Sequence, residues 1–449
     1  MPTPRPAPRG RALLTAALVA GLAVAGCGPA PAPPQPPPAD PTCAAFERYG
    51  DLSGTAITIL EPTTDSGRPQ VGGYRSFARC TGTRIERRVV PTIDEGLRAG
   101  EAPPDLGYLP DAATLDDLVR RTGSVVPVPP PVAANVAEFY PETYRAAGSV
   151  DGTLYAAPLD GSVKSLVWYS PRVFAERGYR VPTDWAGLLA LSERSAAGGA
   201  TPWCAGAEAG PTTGWPLVDA LEETVLGTAG PEVFDAWVGH TIPTNAPQVV
   251  AALDELGSIA RNGAFVNGGI GDPASIASTP VAAGGLPILA GRCLLHRQSD
   301  RYAGAWPAGR DISPTGDVFA FRLPPRTPDT GPTALVGGGF VVAFTDRREV
   351  AALQAYLSTP DAAGAMAREF GPNWLSPSTG LDPAALSSPL GRLALDVLQD
   401  PRTTLRYDGS DRMPAAVGAG SLPRALTAWL TGTPSADALG AAEAGWPPR

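Results

Sequence analysis

Lys164, in GSVKSLVWYSP (residues 161–171), is the only lysine among 35 basic residues; all the others are arginine. An ammonium is a compact donor of three hydrogen bonds, and this one stands in an apolar run four residues after Asp160. Ser162 close by raises acyl transfer first. Acylating serine enzymes space S-x-x-K over three residues on a helix, whereas Ser162 and Lys164 are two apart. The chain has no G-x-S-x-G, H-E-x-x-H or G-x-x-x-x-G-K run. Carboxylates are plentiful, but the sequence fixes no pair at glycosidase spacing. With only two histidines, His240 and His296, and no C-x-x-C, neither a metal centre nor a cofactor is expected. What remains is non-covalent: acids and an ammonium that hold a polar molecule. The plainer reading is that lysine is scarce in an Ala-, Gly-, Pro- and Arg-rich chain and snorkels from a strand end.

The elements that must position these groups read as alternating β and α. AITIL (56–60), RIERRVV (84–90) and PDLGYL (104–109) predict strands, and DAATLDDLVRRTG predicts a helix after the third. This order argues for a doubly wound, mostly parallel sheet, an α/β fold. Such sheets bind ligands at the C-terminal ends of their strands, which singles out Glu61 and Asp65 after the first strand and Tyr108 and Asp111 after the third. APQVVAALDELGSIARNG (246–263) predicts a helix. VFAFRLP and VGGGFVVAF return to strand, and RREVAALQAYLSTPDAAGAMAREFG to two helices. About 405 residues follow the N-terminal segment, too many for one core, so two lobes are expected. All nine Trp lie beyond residue 160, so flat aromatic rings able to stack on a sugar would belong to the second lobe.

The N-terminus reads as an export signal. Arg5, Arg9 and Arg11 precede the uncharged stretch Leu13–Ala25, too short to span a bilayer comfortably. Val24-Ala25-Gly26-Cys27 resembles a bacterial lipobox, with Cys27 as the lipidated first residue anchored at the outer face of the cell membrane. Residues 28–42 hold 8 Pro in 15, a polyproline tether that could reach roughly 45 Å. Removing 1–26 takes three Arg and no acid, so the net charge moves from −9 to about −12. An acidic body without a basic cluster argues against nucleic acid or anionic lipid as partner. Beyond Cys27 the cysteines are Cys43, Cys80, Cys204 and Cys293, for which two disulfides and three connectivities are possible. Cys43–Cys80 and Cys204–Cys293 are favoured, because each pair stays within one half of the molecule.

Five ordered motifs carry a resemblance: VKSLVWY (163–169), PWCAGAEAGPTTGWPLVDALEE (202–223), CLLHRQ (293–298), VGGGFVVAF (336–344) and YDGSDRMPAAVG (407–418). With the pattern around them, about residues 43–446 resemble the maltose-binding-like extracellular solute-binding proteins of ABC importers, in particular the actinobacterial alpha-glucoside-binding lipoproteins. The resemblance implies a two-lobed periplasmic-binding-protein-like fold (type II) whose lobes meet at a hinge and close on a ligand. The implied division is 1–26 signal peptide, 27–42 lipidated Cys and tether, 43–160 plus about 318–360 first lobe, and about 161–317 plus 361–449 second lobe.

The implied function is capture of an oligosaccharide and its delivery to an ABC permease by a lipid-anchored, monomeric binding protein. The alternatives are a secreted carbohydrate-active enzyme and a ligand-sensing lipoprotein not coupled to transport. The resemblance puts Lys164 at the start of the second lobe, donating to a sugar hydroxyl or holding a cleft carboxylate such as Asp160. Trp215 of TGWP becomes a stacking platform, and Asp219 an acceptor for a hydroxyl. Arg297 and Gln298 come from HRQ, Asp408 and Asp411 from DGSD; Glu61, Tyr108 and Asp160 complete the candidate ligand set. The chain departs from the branch pattern where TGWPxTDW becomes TGWPLVDA, placing Val218 and Ala220 at a hydroxyl and a second Trp, and where SDLMP becomes SDRMP, adding Arg412. These changes are expected to border the ligand, and the added guanidinium points toward an acidic or phosphorylated sugar.

Overall fold

Apolar alternation in AITILEP makes β1 (Ala56–Pro62), with Ile57, Ile59 and Leu60 wholly buried. In the computed structural model, residues 41–63, 70–98, 103–266, 271–327 and 331–448 are described. The expected signal peptide, Cys27, nearly all of the tether and Asp65 lie outside the described residues.

β2 (Arg84–Val90) runs parallel to β1 from Ala56↔Arg84 to Pro62↔Val90, and β3 (Leu106–Leu109) runs parallel on its other side. A small hairpin, β4 (Ser149–Val150) and β5 (Thr153–Leu154), precedes β6 (Ala156–Pro158). There follow β7 (Ser162–Val163), β8 (Leu166–Tyr169), β9 (Thr201–Trp203), β10 (Cys293–Arg297), β11 (Phe319–Arg322), β12 (Thr333–Gly337), β13 (Phe340–Ala343) and β14 (Thr404–Tyr407). They assemble into a five-stranded sheet β2-β1-β3-β13-β6, a four-stranded sheet β11-β8-β10-β9 and a three-stranded sheet β14-β12-β7. In the first sheet only β13 runs against its neighbours. The four-stranded sheet is mixed: β9 and β10 are parallel, while β8 is antiparallel to β10 and β11.

The chain leaves the five-stranded sheet between β6 and β7 and rejoins it between β12 and β13. β11, near the expected boundary at 318, is hydrogen-bonded to β8, so the strand that re-enters the first sheet is β13. Helices cover the sheets. Helix Ala112–Thr122 starts on Asp111, whose carboxylate accepts from the Thr114 amide at 2.7 Å, and ends on Gly123. Cys204 and Cys293 form a disulfide with a Cα–Cα distance of 5.8 Å, as expected from their placement in one half. Cys43 and Cys80 are each disulfide-bonded.

Where the two crossing segments meet, glycine is required. Gly338 has φ 149°, and a Cβ there would overlap the carbonyl of Asp160. A Cβ on Gly339 would overlap the phenol of buried Tyr108. We predict that Gly339→Ala lowers unfolding stability by about 1–3 kcal/mol through overpacking, measured by urea titration. A change within experimental error would show that this junction has room the packing denies.

Candidate functional site

The three-stranded sheet brings Lys164 and Asp408 together from 244 residues apart. Lys164 follows β7 and its amide donates to the Leu335 carbonyl at 2.8 Å; Asp408 follows β14 and donates to Val336 at 2.7 Å. β12 is therefore the common neighbour that sets both positions. The third contributor is helix Trp215–Thr228, which carries Trp215, Asp219 and Glu222 at i, i+4 and i+7, on one face.

The Lys164 ammonium pairs with Asp408 and, at 3.2 Å, with Asp219. It also lies 5.9 Å from the centroid of the Trp215 ring. Burial opposes its charge, but Asp219, Asp411 and Glu222 outweigh that and hold its pKa above the ordinary value. Asp408 uses its other oxygen to accept from the Ser410 hydroxyl at 2.7 Å and the Asp411 amide at 3.2 Å. Glu222, wholly buried, accepts from the amides of Gly409 and Ser410 at 2.7 and 2.8 Å. The loop that presents Asp411 is thus held from below by two carboxylates. Burial, then the neighbouring Asp219, pushes Glu222 up to about 7. Burial likewise pushes Asp411 up to about 7, against the pull of Lys164 and with the help of Asp111. Asp111 comes from the five-stranded sheet's side of the molecule, and its helix packs on the turn Ser410–Arg412.

Tyr108 and Asp160 form an adjoining cluster. The Tyr108 hydroxyl donates to Asp160 at 2.6 Å, Arg301 pairs with the same carboxylate, and the Gly339 amide donates to it at 3.1 Å. Burial, then the nearby charge of Asp411, pushes the phenol of buried Tyr407 well up, and its hydroxyl donates to the Gly338 carbonyl.

Of the residues singled out in the sequence, Lys164, Trp215, Asp219, Asp408 and Asp411 converge. Lys164 holds Asp408 and Asp219 rather than Asp160, whose oxygens are taken by Tyr108, Arg301 and Gly339. Glu61 takes no part in the Lys164 network; it is paired with Arg87 at 2.9 Å and accepts from the Gln70 amide at 3.0 Å. Arg297 pairs with Glu223 behind the same helix, and Gln298 accepts from the Ser299 amide at 2.8 Å. Arg412 is exposed, with Asp235 as its foremost opposite charge. Glu222 and Arg301 escaped sequence reasoning; the i, i+4, i+7 spacing from Trp215 would have found Glu222. No group of His, Cys, Asp and Glu among the described residues is arranged to hold a metal ion.

The arrangement is one of charged and aromatic groups held rigid at the junction of three sheets, with Trp215, Asp411 and Asp111 partly exposed. Comparison with known proteins agrees with that character. Residues 90–286 match the family model described as bacterial extracellular solute-binding protein. The osmoprotective compounds-binding protein GgtB of Synechocystis is 34% identical, over 89% of this chain and 94% of its own length. The alpha-glucosides-binding periplasmic protein AglE of Rhizobium meliloti is 30% identical over 89% of each. The chain belongs to the bacterial extracellular solute-binding proteins. Its fold is that of the solute receptor AcbH, TM-score 0.68 at 15% identity, covering 87% of this chain and 98% of that one. The relatives are binding proteins, and this family member is a binding protein, not an enzyme. Among its described residues no helix is long and apolar enough to cross a membrane.

The raised carboxyls give the binding protein a definite pH response. Glu222 has an ordinary value of 4.5 and a folded value of about 7, so between these the folded state binds the extra proton. Stability therefore falls as pH rises through that window, by at most about 1.4 kcal/mol per pH unit for each such carboxyl. Urea unfolding from pH 5 to 8 should show the fall, and Glu222→Gln should flatten it. An unchanged slope in the variant would assign the proton elsewhere.

Proposed function

We propose that this protein is the capture component of a carbohydrate ABC importer. Export would remove residues 1–26, lipidation of Cys27 would hold the protein at the outer face of the membrane, and 27–42 would serve as its tether. The body, a monomer, takes an oligosaccharide between two lobes, one built on the five-stranded and one on the four-stranded sheet, and hands it to the permease. The observation that carries this reading is the meeting of Trp215, Asp411 and Asp111 around the Lys164 network, in a chain whose relatives include a binding protein named for alpha-glucosides.

Roles follow from exposure. Trp215 offers a flat face for the C–H side of a sugar ring, and Asp411 and Asp111 offer acceptors for its hydroxyls. Asp219, Asp408 and Glu222 are too buried to be the first contacts; with Lys164, partly exposed and paired with two of them, they fix the loop and the helix that carry those contacts. A ligand bridging Asp111 and Asp411 draws together groups fixed to different sheets, and so favours the closed form through contacts the open form lacks.

Calorimetric titration and thermal melting with maltose, trehalose and malto-oligosaccharides test this. A sugar at 100 times its Kd should add about 2.7 kcal/mol of stability. Trp215→Ala should weaken binding tenfold or more while melting as a folded protein without sugar. Lack of response to every sugar, or full affinity in Trp215→Ala, would end the reading.

A further inference from the structure

The face of helix Trp215–Thr228 next to the Lys164 cluster lines a separate pocket of about 110 Å³. Pro216, Ala220 and Glu223 (i, i+4, i+7) form its wall on this helix, and Trp203, His296 and Arg297 line it from β9 and β10. Trp185, Leu256 and Ile259 also line it and are partly exposed, which gives a small molecule a way in.

The pocket is mostly apolar, yet four polar atoms of its lining residues are buried with no hydrogen-bond partner among the described residues: Glu223 Oε1, Arg297 Nη2, Arg326 Nε and His296 Nε2. Glu223 and His296 are 4% and 2% exposed. Buried polar atoms left unpaired are costly and rare, so their grouping on one cavity calls for a partner. Their chemistry specifies it. Glu223 accepts, and Arg297 and Arg326 donate. His296 Nδ1 lies 2.9 Å from the Cys204 carbonyl and must donate to it, which leaves Nε2 as an acceptor on a neutral ring. Burial, the foremost cause, keeps that ring neutral by lowering its pKa to about 4. The charges already balance, since Glu223 pairs with Arg297 and Glu255 with Arg326; a charged guest would break that balance. Size sets the rest: an apolar cavity of about 150 Å³ takes benzene, and this pocket is somewhat smaller.

We propose that this pocket is a second binding site, for a small neutral molecule with an apolar body and one hydroxyl. The hydroxyl donates to Glu223 Oε1 or His296 Nε2 and accepts from Arg297 Nη2, while the body packs on Trp203 and Ala220. The site is independent of the sugar cluster, which faces the other stripe of the same helix.

Fluorine NMR of 2,2,2-trifluoroethanol, a molecule smaller than benzene, with the full chain tests it, with maltose present throughout. Saturable line broadening is expected, at least tenfold weaker for 1,1,1-trifluoropropane, in which a methyl replaces the hydroxyl. Ala220→Leu, which fills the pocket, should abolish the broadening; Ala260→Leu, from another lining helix, serves if the first variant does not fold. No saturable broadening, as with a pocket that takes only water, overturns the proposal. So does equal binding of the two probes, or binding that survives a folded, filled variant.

Discussion

A single, largely covered ammonium holds the candidate site together. Asp219 sits on a helix and Asp408 after a strand; nothing in the backbone joins them, and both are nearly inaccessible to water. Removing a carboxylate from water is costly unless a partner compensates it, and Lys164 is the partner of both. Truncating that lysine would leave two acids desolvated, the case in which a buried pair is most costly to break. Its type follows from the space available: a Cβ at Gly337 would lie 3.3 Å from Lys164 Cε, so the side chain threads beside backbone. A slender chain ending in a point charge fits there, whereas a planar guanidinium needs the flat, bidentate setting that Arg87 finds on Glu61.

The same economy governs the crossing between sheets. Backbone carbonyls in the buried Gly337–Gly338 stretch need donors, and the hydroxyls of Tyr144 and Tyr407 supply them. Asp160 ties the outgoing segment to the returning one through the Gly339 amide, and Asp300 ties the next two residues through Ser162 and Val163 at 2.8 and 2.7 Å. These side chains fix the crossing without a long sheet, so residues from three sheets meet at one place.

Much of this was legible in the sequence. The strands at 84–90 and 340–343 and the helices after Asp111 and Ala246 follow from period and caps. The rarity of lysine marked Lys164, and its motif neighbours marked Trp215, Asp219 and Asp411. Partnerships were less legible, because they depend on register. Asp160 stands nearest Lys164 in sequence, yet the β7-β12-β14 ladder delivers Asp408 to it instead. Glu61 looked available at a strand end until the β1–β2 register placed Ile59 opposite Arg87, diagonal to Glu61 on the same face. Arg297 looked like a ligand group, but it is paired with Glu223, the last residue of the 202–223 motif.

The departure at Ala220 takes on a different meaning in three dimensions. Sequence reasoning placed it beside the sugar, as the loss of an indole from the ligand's surroundings. The helix turns that side chain about 100° per residue, and five residues from Trp215 leave it on the neighbouring stripe, lining the second pocket with Glu223. Ala220 lines that pocket together with Glu223 and Arg297, whose Oε1 and Nη2 have no partner among the described residues. Ala220 therefore faces that pocket and has no part in the Lys164 network. One helix thus serves two environments, with Trp215, Asp219 and Glu222 on one stripe and Pro216, Ala220 and Glu223 on the next.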